Sequence, residues 1–141
     1  MLHRGDRVFF SDNSQGALDR CAIFQSVVKA LGLVPVFFVG TGTLIRGSNI
    51  DSEVRADFYA ARAVVLYFGS PRPGSADQDH WALPELKHAL ASGVDCLIYV
   101  SEDYPRSVLI EHGYAGEPTV ILAKRDFGSV LKEHLEALTE T

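Results

Sequence analysis

Trp81-Ala82-Leu83-Pro84-Glu85-Leu86 is the stretch whose residue types and spacing could carry a reaction. Trp81 and Glu85 stand four residues apart. On a helix turning about 100° per residue, both lie to one side, roughly opposite the Leu83, Leu86 and Leu90 stripe. A glutamate in the first helical turn faces the positive end of the helix dipole, which favours its ionised form. A carboxylate held beside an aromatic plate suits a sugar passing through an oxocarbenium-like transition state, whose positive charge it stabilises. The alternative is an ordinary first-turn glutamate with a half-buried packing tryptophan, because acidic residues are enriched at that position for the same dipole reason.

Other chemistries are poorly served. His80 and His88 flank Glu85 but lie eight apart, and no second pair has the i, i+4 spacing of a helical zinc site, so no metal is expected. Gly40-Thr41-Gly42 lacks the third glycine of a dinucleotide fingerprint and follows the second strand-like run, not the first. Asp126-Phe127-Gly128 copies a kinase tripeptide without its companion motifs, and no Gly-x-Ser-x-Gly elbow surrounds Ser107 or Ser129. Lys124 would suit a phosphoacceptor domain, yet Tyr67-Phe68-Gly69 lacks the aspartate that would take the phosphate.

The chain that must position Glu85 has 141 residues, 47% of them apolar, and a formal net charge of −5. That length fits one domain spanning residues 1–141, with a core that needs neither disulfide nor metal. The negative balance, without any block of like charges, argues against nucleic acid or an anionic membrane as a partner. The longest apolar run, Leu33 to Val39, falls far short of the roughly 20 residues that cross a bilayer. The first residues lack a signal-peptide core, and Cys21 and Cys96 sit inside apolar segments as free buried thiols would. A cytoplasmic location is the expectation.

Strand-like and helical patterns alternate along the chain. Arg7 to Phe10 reads as a strand stopped by the turn formers Ser11-Asp12-Asn13-Ser14. Ala17, Cys21, Phe24, Val28 and Leu31 form one helical stripe closed by Gly32. Val34 to Val39 reads as a strand covered on both faces, followed by a glycine-bearing loop over 40–49. Ile50, Val54, Phe58 and Ala61 restore helical spacing, and Ala63 to Phe68 is a third buried strand ended by a proline-rich loop. A helix beginning near 79–83 and ending near Gly93 follows, then strands over 96–100 and 119–123, with a closing helix from Phe127 to Leu138. Residues 101–118 show no resolved pattern. The alternation specifies an α/β fold with a doubly wound parallel sheet, in which ligands sit outside the carboxyl ends of the strands.

Val8-Phe9-Phe10-Ser11, the helix ending Leu31-Gly32, the loop with Arg46-Gly47, and Ala61-Arg62-Ala63-Val64-Val65-Leu66 resemble the Toll/interleukin-1 receptor (TIR) domain superfamily over about residues 7–100. Trp81 four residues before Glu85, with Leu86, Ala89 and Leu90 after it, resembles its NAD-cleaving bacterial members. The resemblance implies a flavodoxin-like five-stranded sheet and NAD+ as substrate, with no cofactor. Glu85 would be the catalytic carboxylate facing the ribose, and Trp81 would line the same pocket. Phe10 and Ser11 would sit near the nicotinamide ribose, and Gly69 and Ser70 would border the mouth. The Arg46-Gly47 loop would govern access and self-association into a homo-oligomer, and a larger sensor protein would be a further partner. Gly69 departs from a serine common in the family, Pro84 directly precedes the glutamate, and Asp12 replaces an aromatic residue. Two rival readings share the fold: a non-catalytic TIR-like association module, and a nucleoside or nucleotide N-glycosidase of deoxyribosyltransferase type.

Overall fold

The structure is a computed structural model that describes residues 1–12, 14–39, 60–69, 82–111, 113–122 and 127–139, with the backbone alone at 38–39 and 82–85. Its elements are β1 (Arg7–Asp12), α1 (Ala17–Ala30), β2 (Val34–Val39), β3 (Ala63–Phe68), α2 (Ala82–Ser92), β4 (Asp95–Ser101), α3 (Arg106–Glu111), β5 (Thr119–Ile121) and α4 (Phe127–Leu138). The five strands form one parallel sheet in the order β2-β1-β3-β4-β5.

Alternation of side chains across the strands divides the core in two. On one face, Val8 and Phe10 of β1, Val65 and Tyr67 of β3 and Tyr99 of β4 pack against the Cys21, Phe24 and Val28 stripe of α1 and against Phe127, Leu131 and Leu135 of α4. On the other face, Phe9, Val64, Leu66 and Ile98 meet Leu86 and Ala89 of α2 and Leu109 of α3. Burying both faces is what makes the third strand a continuous apolar run: every residue of β3 is buried.

Several expectations change where pairing between distant strands outweighs local preference. Strand β1 runs past Phe10 to Asp12, because Ser11 and Asp12 pair with Phe38 and Val39 of β2 and do not turn away. Strand β2 lies at the edge of the described sheet, and its faces are only partly covered: Val34 and Phe37 are exposed while Val36 packs on the core, and Pro35 is tolerated there because an edge leaves one row of N–H groups unpaired. Among the described side chains of α2, Leu86 and Ala89 are buried while Leu90 reaches the surface. Residues 101–118 contain the short helix α3, and β5 stops at Ile121. The helix expected from Ile50 lies outside the described residues as far as 59. Cys21 and Cys96 are free thiols on opposite faces of the sheet, the first buried and the second half-buried. Among the described residues no helix is long and apolar enough to cross a membrane.

Candidate functional site

The chain leaves β1 through α1 on one face and leaves β3 through α2 on the other, although β1 and β3 are neighbours. Their connections part at the carboxyl ends, which is where open α/β sheets form a crevice and hold ligands. Because α2 must return the chain from the end of β3 to the start of the parallel strand β4, its amino-terminal turn stands at that same edge. Glu85 is the fourth residue of α2.

At the crevice the last residue of β1, Asp12, is fully buried. A carboxylate without water must be paired or hydrogen-bonded, and this one is both. The Ser14 backbone N–H and Oγ–H donate to Asp12 Oδ1 over 2.9 and 2.6 Å, and Arg20 Nε donates to Oδ2 over 2.6 Å. Arg20, in the first turn of α1, reaches back to the turn residues: its Nη2 donates to Ser14 Oγ at 2.7 Å and to the Gln15 carbonyl at 2.6 Å. The guanidinium carbon lies 3.8 Å from the centroid of the Tyr67 ring, at the end of β3. Tyr67 in turn meets Phe127 edge-on at 6.0 Å. Gly69 closes the assembly: a Cβ there would stand 2.8 Å from Tyr67 Cε1 and 3.0 Å from Ser14 Oγ. A side chain at position 69 would therefore press on Tyr67 and Ser14.

Burial pushes the Tyr67 phenol above its ordinary range; Arg20 pulls against that shift, and Asp12 and Asp103 add to it. Tyr67 therefore keeps its proton at neutral pH. Asp103 comes from the turn after β4, where it accepts a hydrogen bond from Ser101 Oγ at 2.7 Å. Side chains from β1, α1, β3 and the end of β4 thus converge on one edge.

The residues singled out from the sequence separate. Phe10 is fully buried and stacks on Phe24 at 4.9 Å, a core ring on the α1 face and not a ribose contact. Ser11 is also buried, 1% exposed, and takes the opposite face from Phe10 by strand alternation. Gly69 follows β3 and lies against Tyr67 and Ser14. The backbone of Glu85 lies in the first turn of α2, on the sheet face opposite Phe10. Trp81, Arg46, Gly47 and Ser70 lie outside the described residues. Asp12, Ser14, Arg20 and Tyr67 form a network at this edge that sequence reasoning did not single out as a candidate site. Their signal was slight, a turn-forming Ser-Asp-Asn-Ser cluster followed by an arginine on the polar side of a helix.

Two clefts lined by described residues lie toward the other edge of the sheet. One, of about 310 Å³, is bordered by Lys87, Leu90, Glu111 and Gly113. The second, of about 320 Å³, lies between the first half of β4 and the end of α4 and includes His134, whose Nδ1 is 2.8 Å from the Tyr99 hydroxyl. Glu111 therefore belongs to a different surface from the crevice.

Strand order and crevice together define an α/β protein with a flavodoxin-like fold. Among solved structures the chain is similar to the rubredoxin oxygen:oxidoreductase of the anaerobe Desulfovibrio gigas, with a TM-score of 0.57 and 14% sequence identity. The match covers 96% of this chain and 35% of that one, so the chain spans about a third of that protein's length. At this identity the likeness concerns the fold alone. No family model matches the chain, and no curated protein matches it.

Proposed function

We propose that the chain is a TIR-like hydrolase of the nicotinamide N-glycosidic bond of NAD+, acting in bacterial defence or signalling, with Glu85 as its essential carboxylate. The observation that carries this reading is the strand order, which brings the first turn of α2 to the carboxyl edge where β1 and β3 part. In the reaction the bond from ribose C1′ to nicotinamide breaks, and its electron pair goes to the ring, which leaves neutral. The Glu85 carboxylate offsets the positive charge developing on the ribosyl group, water adds at C1′, and that water releases its proton to the solvent. A cationic leaving group needs no strong nucleophile, so positioning and electrostatics supply the rate. Arg46-Gly47 and the loop after β2 would mediate self-association that completes the pocket, within a larger sensor.

The flavodoxin-like fold also raises flavin binding, which would place a phosphate at the turn after β1. Here the Ser14 N–H and Oγ–H and three Arg20 N–H groups already serve Asp12 and the turn itself, which leaves the two Nη1 hydrogens of Arg20 as the guanidinium donors without a described partner.

Incubation with NAD+ and a panel of nucleotides, followed by chromatography, tests it. Glu85→Gln is expected to lower nicotinamide release by on the order of a thousandfold with the melting temperature kept, and Trp81→Ala to weaken it without abolishing it. Equal release by wild type and Glu85→Gln overturns the assignment. Free base from nucleotides lacking nicotinamide would indicate the nucleoside N-glycosidase instead, and concentration-dependent association without turnover the association module.

A further inference from the structure

Arg20 is held more rigidly than a half-exposed surface arginine, and it is not used up. Nε and Nη2 make every hydrogen bond described above, whereas Nη1 makes none to a described residue. The side chain keeps 17% of its exposure. Nη1 lies beside Gly16, where a Cβ would stand 3.0 Å from it, so the left-handed glycine (φ 84°) leaves the approach to that nitrogen open. The charge behind these two donors is met by the buried Asp12 carboxylate at 2.6 Å. Asp19 in the first turn of α1 and Asp103 beside Tyr67 add negative charge to the surroundings. A phosphate would meet little net attraction there, while a neutral oxygen would meet two oriented N–H groups without a desolvated countercharge.

We infer that Arg20 is the ligand-recognising residue of the crevice, its Nη1 hydrogens donating to a neutral oxygen acceptor, a carbonyl or a hydroxyl, of the bound molecule. The inference rests on the crevice being the substrate site and specifies which chemistry it selects. For NAD+ the acceptor is the carboxamide carbonyl or a ribose hydroxyl, not the pyrophosphate.

Binding separates this from the hydrolase reading. NAD+ is titrated calorimetrically into wild type and Arg20→Lys; nicotinamide, ribose and inorganic pyrophosphate are followed by ligand-observed NMR. Lysine keeps the charge beside Asp12 but loses the fork, so affinity for NAD+ is expected to fall roughly tenfold in the folded variant. Nicotinamide binding without ribose binding identifies the carbonyl as the acceptor, and the reverse identifies the hydroxyl. Wild-type affinity for nicotinamide, which carries no charge, is expected to change less than about twofold between low and high salt, because a neutral acceptor is not screened. Asp12→Asn, which frees the cation, is expected to create pyrophosphate binding. Pyrophosphate binding by wild type with a steep salt dependence, unchanged affinity in Arg20→Lys, or binding of no probe overturns the inference. Should either variant fail to fold, the wild-type salt series and probe set decide alone. NAD+ bound but not cleaved sinks the hydrolase and leaves Arg20 in its role; cleavage with an affinity indifferent to Arg20→Lys does the opposite.

Discussion

The Asp12 carboxylate has no contact with solvent, and its charge is tolerable only while Ser14 and Arg20 hold it. Arg20→Met would leave that anion buried without its partner. The expected cost in urea unfolding is about 2–3 kcal/mol, at or below the low end for fully buried pairs because Arg20 retains 17% exposure. Combining it with Asp12→Leu should return part of the loss, since an apolar pair leaves no orphaned charge. A double variant less stable than Arg20→Met alone would mean that the network holds the turn by its hydrogen bonds and not by charge balance. Such a buried ion pair adds little net stability, which fits a role in fixing the geometry of the turn.

Two elements meet at the crevice through Gly69, just after β3, and Ser14, just before α1. Gly69→Ala would drive a methyl group into Tyr67 and Ser14. Tyr67 has no room to retreat, with the Arg20 guanidinium 3.8 Å above its ring and Phe127 edge-on at 6.0 Å. Thermal unfolding should register a loss of about 1–3 kcal/mol, the usual range for overpacking, and an unchanged melting temperature would show that the turn after β1 yields freely. The same packing shows why element positions were legible and element environments less so. The Ala17, Cys21, Phe24 and Val28 spacing specifies α1 and its inner face, because helical periodicity is a local property. Whether β2 is central or at the edge depends on which strands pair, and Val34 to Val39 reads the same in either place.

Across the whole molecule, Cys21, Cys96, Tyr67, Tyr99 and Tyr114 all hold their protons more tightly than in an open chain, with burial the first cause in each. Cys96 is pushed up to about 11 from 9.0, with the Asp95 charge contributing. Ionising these groups is harder in the folded state, so their contribution to stability is complete below the ordinary thiol and phenol values and is lost as the pH climbs through the raised ones. The melting temperature should therefore decline progressively above about pH 9, and a rise over pH 9 to 11 in a differential scan would contradict the burial of these groups. The amino-acid order by itself determined the alternation of strands and helices, the α/β class and the stretch around Glu85, because periodicity, capping and helical spacing act over a few neighbouring residues. Only the tertiary structure decided that Phe10 belongs to the core and that the helix of Glu85 takes the opposite face. It alone brought Asp12, Arg20 and Tyr67 together, because parallel strand pairing joins residues far apart in the chain and no residue's identity records which strand will lie beside its own.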